Sequence, residues 1–183
     1  MSSDEIVRSV AGEHQGRIDR CLDLVYVQAV HSARLQGQVE GILKPDNSPV
    51  TVIDLLHQSQ VQQMLATAFP EDGLICEEPR SLQEEVLANA TRMSSSIYGI
   101  ELGAEVLTLP ERGDVTWVLD PIDGTKGFLG GRCFAIAIGF FVDGEPFFGA
   151  VAVPAGDPGK ARGIDGTLSF AVRARGAWTT QVE

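Results

Sequence analysis

A domain that mixes helices with strands is predicted by two patterns. Apolar residues recur every three or four positions through the early part of the chain, and short, β-rich apolar runs divided by turn residues fill the late part. A third observation locates the chemistry. In Val115 to Leu129, VTWVLDPIDGTKGFL, a strand over Trp117, Val118 and Leu119 ends at Asp120, its first residue beyond, and Asp123, Gly124 and Thr125 follow. The 183 residues are 44% apolar, 7% aromatic and 21% charged, the balance of one ordinary domain. A chain this long can bury about 70% of its unfolded surface without disulfide staples. Its three scattered cysteines, Cys21, Cys76 and Cys133, therefore read as reduced thiols.

Charge narrows the function classes. With 25 acids against 14 basic residues the net charge is −11, which argues against binding a DNA or RNA backbone. A polyanionic substrate would need a cation to mediate its approach. No window reaches the roughly 18 apolar residues of a membrane span, and the start, MSSDEIVRSVAGEH, has acids and no apolar signal core. The expected location is the cytoplasm; an organelle presequence would be Arg-rich and acid-poor.

In order, residues 1–16 are expected to be a tail and 17–183 the domain. Ile18, Cys21, Leu22, Val25, Ala29, Val30 and Ala33 mark an amphipathic helix from Arg17 to about Leu43. KPDNSP, Lys44 to Pro49, is turn chemistry. Val50 to Ile53 lead to Asp54, expected as the N-cap of a second helix with Leu56, Val61, Met64, Leu65 and Ala68 inside and Phe69-Pro70 at its close. Gly73 to Cys76 form a short strand ending in Glu77 and Glu78. Ser81 and Glu84 open a helix to about Met93, and Ser94 to Ser96 form a loop. Ile100 to Leu109 carry no clear pattern, and Pro110 to Asp114 are a turn. Phe134 to Val142 and Phe147 to Val153 make a hairpin about Asp143-Gly144-Glu145-Pro146, apolar enough to be buried on both faces. A loop covers Pro154 to Asp165, and two short strands, Thr167 to Val172 and Ala177 to Thr180, follow. His31, with no metal-type partner one turn away, reads as a surface or packing residue, and His14 and His57 are read the same way.

The Pro121 bend and the Gly124 turn bring Asp120 and Asp123 toward one point. Two close carboxylates repel unless a cation lies between them, and oxygen-only ligation suits Mg2+ or Mn2+ better than zinc. A solvated Asp-Gly turn is the plainer alternative. An EF-hand is excluded, since Ile122, Gly124 and Gly131 fall where its ligands belong. Gly127, Gly130 and Gly131 do not make a dinucleotide fingerprint. With Asp54 and the Glu77-Glu78 pair, three segments offer carboxylates at element ends. Converging, they would build a two-metal phosphoryl site.

SPVTVID (Ser48 to Asp54), ICEE (Ile75 to Glu78) and WVLDPIDGTKGFL (Trp117 to Leu129), in this order, resemble the lithium-sensitive, magnesium-dependent phosphatases of the inositol monophosphatase superfamily. Lys126-Gly127-Phe128 is most similar to the 3′(2′),5′-bisphosphate nucleotidase branch. The resemblance implies an α+β fold, the N-terminal half of the inositol monophosphatase-like sugar-phosphatase fold, with an antiparallel sheet packed with helices. It also implies that this chain lacks the family's C-terminal α/β domain, which supplies a further metal-binding Asp in a Trp-Asp-x-x-Ala-Gly-like motif. Cys76 stands where the family more often has Gly.

By the same resemblance Glu77, Asp120 and the Ile122 carbonyl hold a first Mg2+ (Mn2+ being possible), and Asp120 and Asp123 hold a second. Thr125 and Asp54 position and deprotonate the attacking water, Glu78 lies just outside or on an outer metal, and Gly124 and Lys126 meet substrate phosphate. The implied reaction removes the 3′-phosphate of adenosine 3′,5′-bisphosphate or of its sulfated form, a step of sulfur assimilation. The alternatives are an inositol monophosphatase-like enzyme and an inactive metal- or phosphate-binding remnant.

Overall fold

The computed structural model describes residues 12–82, 109–155 and 165–182. After a 3-10 turn at Gly12–His14, helix α1 spans Gln15–Leu35, and a two-stranded hairpin of β1 (Gly41–Leu43) and β2 (Pro49–Thr51) leads into helix α2, Val52–Ala68. Strand β3 is Gly73–Cys76, β4 is Val115–Asp123, and the single-turn helix α3 is Thr125–Leu129. Strands β5 (Ala135–Val142), β6 (Glu145–Ala155), β7 (Asp165–Val172) and β8 (Gly176–Val182) complete a six-stranded sheet in the order β3-β4-β5-β6-β7-β8. Every pair is antiparallel except β3 with β4, so an α+β fold carries one parallel pair at its edge.

One aromatic ladder crosses the buried face. Phe69 stacks near Trp117, then Phe140, Phe148, Phe170 and Trp178 follow with ring centroids 5.4 to 6.4 Å apart. Each of β4 to β8 supplies one ring of this ladder. Trp117 and Phe140 are fully buried, and burying a phenylalanine is worth about 3 kcal/mol. Helix α1 lays Ile18, Cys21, Val25 and Ala29 on β5 and β6, and α2 packs on β4.

The hairpin between β5 and β6 turns on Asp143 (φ 51) and Gly144 (φ 77). Two successive left-handed residues are what a two-residue loop between right-twisted strands needs, which is why Asp-Gly stands there. Strand β6 then begins at Glu145 and takes in Pro146.

Several expectations are corrected. Helix α1 stops at Leu35 rather than near Leu43, because Gly37 adopts φ 75 and Gly41 to Leu43 pair as a strand. Strand β4 does not end before Asp120; it continues through Pro121 and Ile122 to Asp123. Pro154 lies within β6, not in a loop. Burial of the β5–β6 hairpin is one-sided among the described residues: Val151 is 39% exposed and β6 alternates, since α1 and α2 cover a single face. The helix expected from Ser81 to Met93, the Ser94 to Ser96 loop and most of the Ile100 to Leu109 stretch lie outside the described residues, as does most of the Pro154 to Asp165 loop. No helix among the described residues is long and apolar enough to cross a membrane.

Candidate metal centre

Asp54 enters the site from the first turn of α2, though not as the N-cap. That place belongs to Thr51, and Asp54 is the third helical residue of a capping box. The Thr51 hydroxyl accepts from the Ile53 N–H at 3.2 Å and donates to Asp54 Oδ2 at 2.5 Å, while the Thr51 N–H donates to the same oxygen at 2.8 Å. A box begins the helix one turn early because it satisfies two orphan donors at once. Asp54 Oδ1 is left buried and without a partner. Burial pushes this carboxyl up to about 6, against the pull of the Thr51 bonds.

Glu77 and Glu78 follow β3, whose parallel register sets Cys76 beside Leu119. The Glu77 N–H donates to the Leu119 carbonyl at 3.2 Å, extending the pairing by one step and bringing Glu77 against Asp120. Burial, then the Asp120 charge and the bond between the two side chains, raise Glu77 to about 7. Asp120 is raised too, by burial first, with Asp123 and Asp54 adding repulsion while Glu77 and the Ile122 N–H supply stabilising bonds. Asp120 Oδ1 has no partner.

Asp120 pairs with Ala137 and Asp123 with Ala135. Three steps along β4 thus match two along β5, a one-residue bulge at Pro121-Ile122, where a proline without an N–H is tolerated. Beyond it Gly124 takes φ 87, which glycine alone adopts freely. The Thr125 hydroxyl donates to the Ile122 carbonyl at 3.1 Å. Gly127 is pressed so close to the Cys133 carbonyl that a Cβ would lie 2.3 Å from it. Asp123 and Lys126 are exposed, as is Gly124.

Oxygens of Asp54, Glu77 and Glu78 lie within 4.8 Å of one another, and Asp120 adjoins Glu77. Glu78, expected at the periphery, is 3% exposed and belongs to this cluster. Two residues escaped the sequence reading. Lys44 Nζ reaches Glu78 Oε1 at 2.8 Å and stands 3.9 Å from Glu77 Oε1. It is aimed by the β1–β2 turn, which Asp46 closes on the Ser48 N–H and hydroxyl at 2.9 and 2.6 Å. Thr51, the cap that sets Asp54, is the other. A Thr three residues before an Asp was the available signal for it.

The donor set fits a hard divalent cation. It is all carboxylate and carbonyl oxygen, and Asp54 Oδ1, Glu78 Oε2 and Asp120 Oδ1 are buried and unpartnered. Burial first, and then repulsion among acids that one lysine does not offset, hold Asp54, Glu77 and Asp120 above the ordinary carboxylate range.

Comparison with known proteins fits this geometry. The family model described as "Inositol monophosphatase family" matches residues 24–182. The chain belongs to the inositol monophosphatase family. Within that family it is 34% identical over 164 residues to a 3′(2′),5′-bisphosphate nucleotidase of Oryza sativa, covering 78% of this chain and 45% of the relative. A 3′(2′),5′-bisphosphate nucleotidase of Schizosaccharomyces pombe is 32% identical over 135 residues, 62% of this chain and 38% of its own length. The chain thus spans half or less of these relatives' lengths. Among solved structures, Thermotoga maritima IMPase superposes with a TM-score of 0.61 over 90% of this chain and 51% of its own, at 23% identity, a likeness of fold.

Proposed function

We propose that the chain forms the metal-binding part of a Mg2+-dependent phosphatase that removes the 3′-phosphate of adenosine 3′,5′-bisphosphate, or of its sulfated form, in the cytoplasm. The observation that carries this reading is the convergence of Asp54, Glu77 and Glu78 within 4.8 Å, with Asp120 adjoining and carboxylate oxygens left unpaired. The names of the nucleotidase relatives support the substrate.

In this reading Glu77, Asp120 and the Ile122 carbonyl hold one ion, Asp120 and Asp123 a second, and Glu78 completes the cluster beside them. Bound there, Mg2+ supplies charge neutralisation of the phosphoryl oxygens and a lowered pKa for water. The chain's own groups do the rest. Thr125, its hydrogen engaged by the Ile122 carbonyl, offers its hydroxyl oxygen as an acceptor that orients a water. Asp54, raised to about 6, is ionised yet basic near neutral pH, so it takes the water's proton as the O–P bond forms and the bond to the 3′-oxygen breaks. The products are inorganic phosphate and a nucleoside 5′-phosphate, or the 5′-phosphosulfate from the sulfated form, the leaving 3′-oxygen taking its proton from solvent water. Lys126, exposed beside the turn, and the Gly124 backbone meet a substrate phosphate.

A second reading, an inositol monophosphatase-like substrate, is favoured by structural neighbours such as the inositol-monophosphate-bound Staphylococcus aureus IMPase-II, TM-score 0.51. Phosphate release from adenosine 3′,5′-bisphosphate and from inositol 1-phosphate, each with Mg2+, tests both. Faster release from the nucleotide is expected; preference for inositol phosphate transfers the chain to the second reading. Release from neither, with saturable Mg2+ binding, makes it a metal-binding domain without turnover.

A further inference from the structure

The acids of this centre arrive on three separate segments, and the structure holds those segments together through one face of one helix. Asp54, His57 and Gln58 stand at positions i, i+3 and i+4 of α2, hence on a common face. Gln58 Nε2 donates to the Glu78 carbonyl at 3.1 Å. His57 Nδ1 lies 3.5 Å from the Pro121 carbonyl, between Asp120 and Ile122. Both side chains are about 2% exposed. A third polar residue braces the arrangement from α1, where the buried Gln28 Nε2 donates to the His57 carbonyl at 3.1 Å.

We propose that His57 and Gln58 are positioning residues that fasten the Glu77-Glu78 and Asp120-Asp123 segments to the helix carrying Asp54, fixing the spacing of the carboxylates before any ion arrives. The inference rests on the metal-site reading above. Its physical basis is the use made of each donor. Buried carbonyls need partners, and here side chains of α2 satisfy carbonyls of the acid segments, leaving carboxylate oxygens free for a cation. The ring suits the task because burial drives His57 down to about 3, so it stays neutral and adds no competing positive charge. The bland alternative is that two polar residues are merely satisfied inside the core. It predicts lost stability and nothing specific to the acids.

The full chain distinguishes them. Gln58→Met keeps the shape and removes the donor; His57→Leu does the same, and His57→Gln restores an amide donor. Mg2+ affinity by calorimetry, thermal midpoint, and amide hydrogen exchange of residues 77–82 and 119–125 in metal-free protein are the readouts. Gln58→Met is expected to weaken Mg2+ binding roughly 10-fold and to speed exchange in 77–82 more than in 119–125. His57→Leu should show the reverse pattern, with His57→Gln close to the parent. Should Gln58→Met not fold, Gln58→Asn shortens the reach and gives the same reading. A lower thermal midpoint with parental Mg2+ affinity and uniform exchange overturns the proposal. A parent chain that binds no Mg2+ sinks the metal reading instead, and the exchange patterns then still decide whether the two residues fasten these segments.

Discussion

Two carboxylate environments lie at opposite ends of the β3–β4 pair, and they have been built to opposite specifications. Ahead of β3, Asp72 is 3% exposed and fully engaged: Arg17 meets both its oxygens at 2.7 Å and Trp117 Nε1 donates at 2.8 Å. Arg17 also lies over the Phe69 ring, 4.6 Å from its centroid. Beyond β3, Lys44 meets Glu78 and stands near Glu77, while Asp54 and Asp120 lie beside them, and three oxygens of the four acids have no partner. The first arrangement binds α1 to the sheet. The second is under-neutralised in the protein alone, which is what a site completed by a cation should look like.

Breaking the first end should cost the most stability. Asp72→Asn leaves the Arg17 guanidinium without a buried counter-charge, and urea unfolding is expected to show a loss of about 3 kcal/mol, with Mg2+ affinity of the remaining folded protein unchanged. At the other end the ranking inverts. Asp120→Asn removes charge from a crowded cluster, so calorimetry should show Mg2+ binding weaker by at least roughly 10-fold while metal-free stability holds or rises. A stability loss like that of Asp72→Asn would erase the contrast between the ends.

Lys44→Met sharpens it further. Without the ammonium the cluster repels itself more, so the metal-free thermal midpoint should fall by a few degrees, on the order of 1 kcal/mol, and added Mg2+ should raise it by more than it raises the parent's. The smallest effect is that of pH. Asp54 and Glu77 have folded values of about 6 and about 7, above their ordinary ones. The stability they contribute is therefore complete below about pH 4 and is lost as pH rises through 6 to 7. Mg2+ binding must displace those protons, so its affinity should climb from pH 6 to 8 in calorimetric titrations. A flat profile would show that neither acid meets the ion.

The sequence announced the second environment and concealed the first. Asp54, Glu77, Glu78 and Asp120 could be singled out because acids beside apolar runs recur on three segments, although a solvated turn explained Asp120 as well and β4 runs on through it. Nothing local in the sequence marks Asp72, since its partners are 55 and 45 residues away. Lys44 was hidden likewise, in a turn whose residues all satisfy local rules while its target lies 34 positions on. Helix α2 misled differently. Its apolar spacing suggested one buried stripe, yet His57, Gln58, Ser59 and Gln62 are buried too. Side-chain hydrogen bonds, which leave no periodic trace, allow polar residues to line that interior. The sheet shows the converse, for the continuous apolar runs of β5 and β6 gave no sign that α1 and α2 would cover only one face.

The bulge at Pro121-Ile122 makes the site a matter of parity. Along a regular strand, residues three apart face opposite sides, and Asp120 and Asp123 would be divided by the sheet. One surplus residue restores an even count, as their partners Ala137 and Ala135 show. The centre can therefore be dismantled without the loss of any carboxylate. Flattening the bulge, so that Pro121, Ile122 and Asp123 each took a place in the regular ladder, would leave every acid in the chain and turn Asp123 away from Asp120, whereas deleting Ile122 removes the surplus residue itself and leaves the two acids two steps apart on one side. What the site depends on is the even count of paired steps between the two acids, and a one-residue slip of register at the bulge would set them on opposite sides of the sheet.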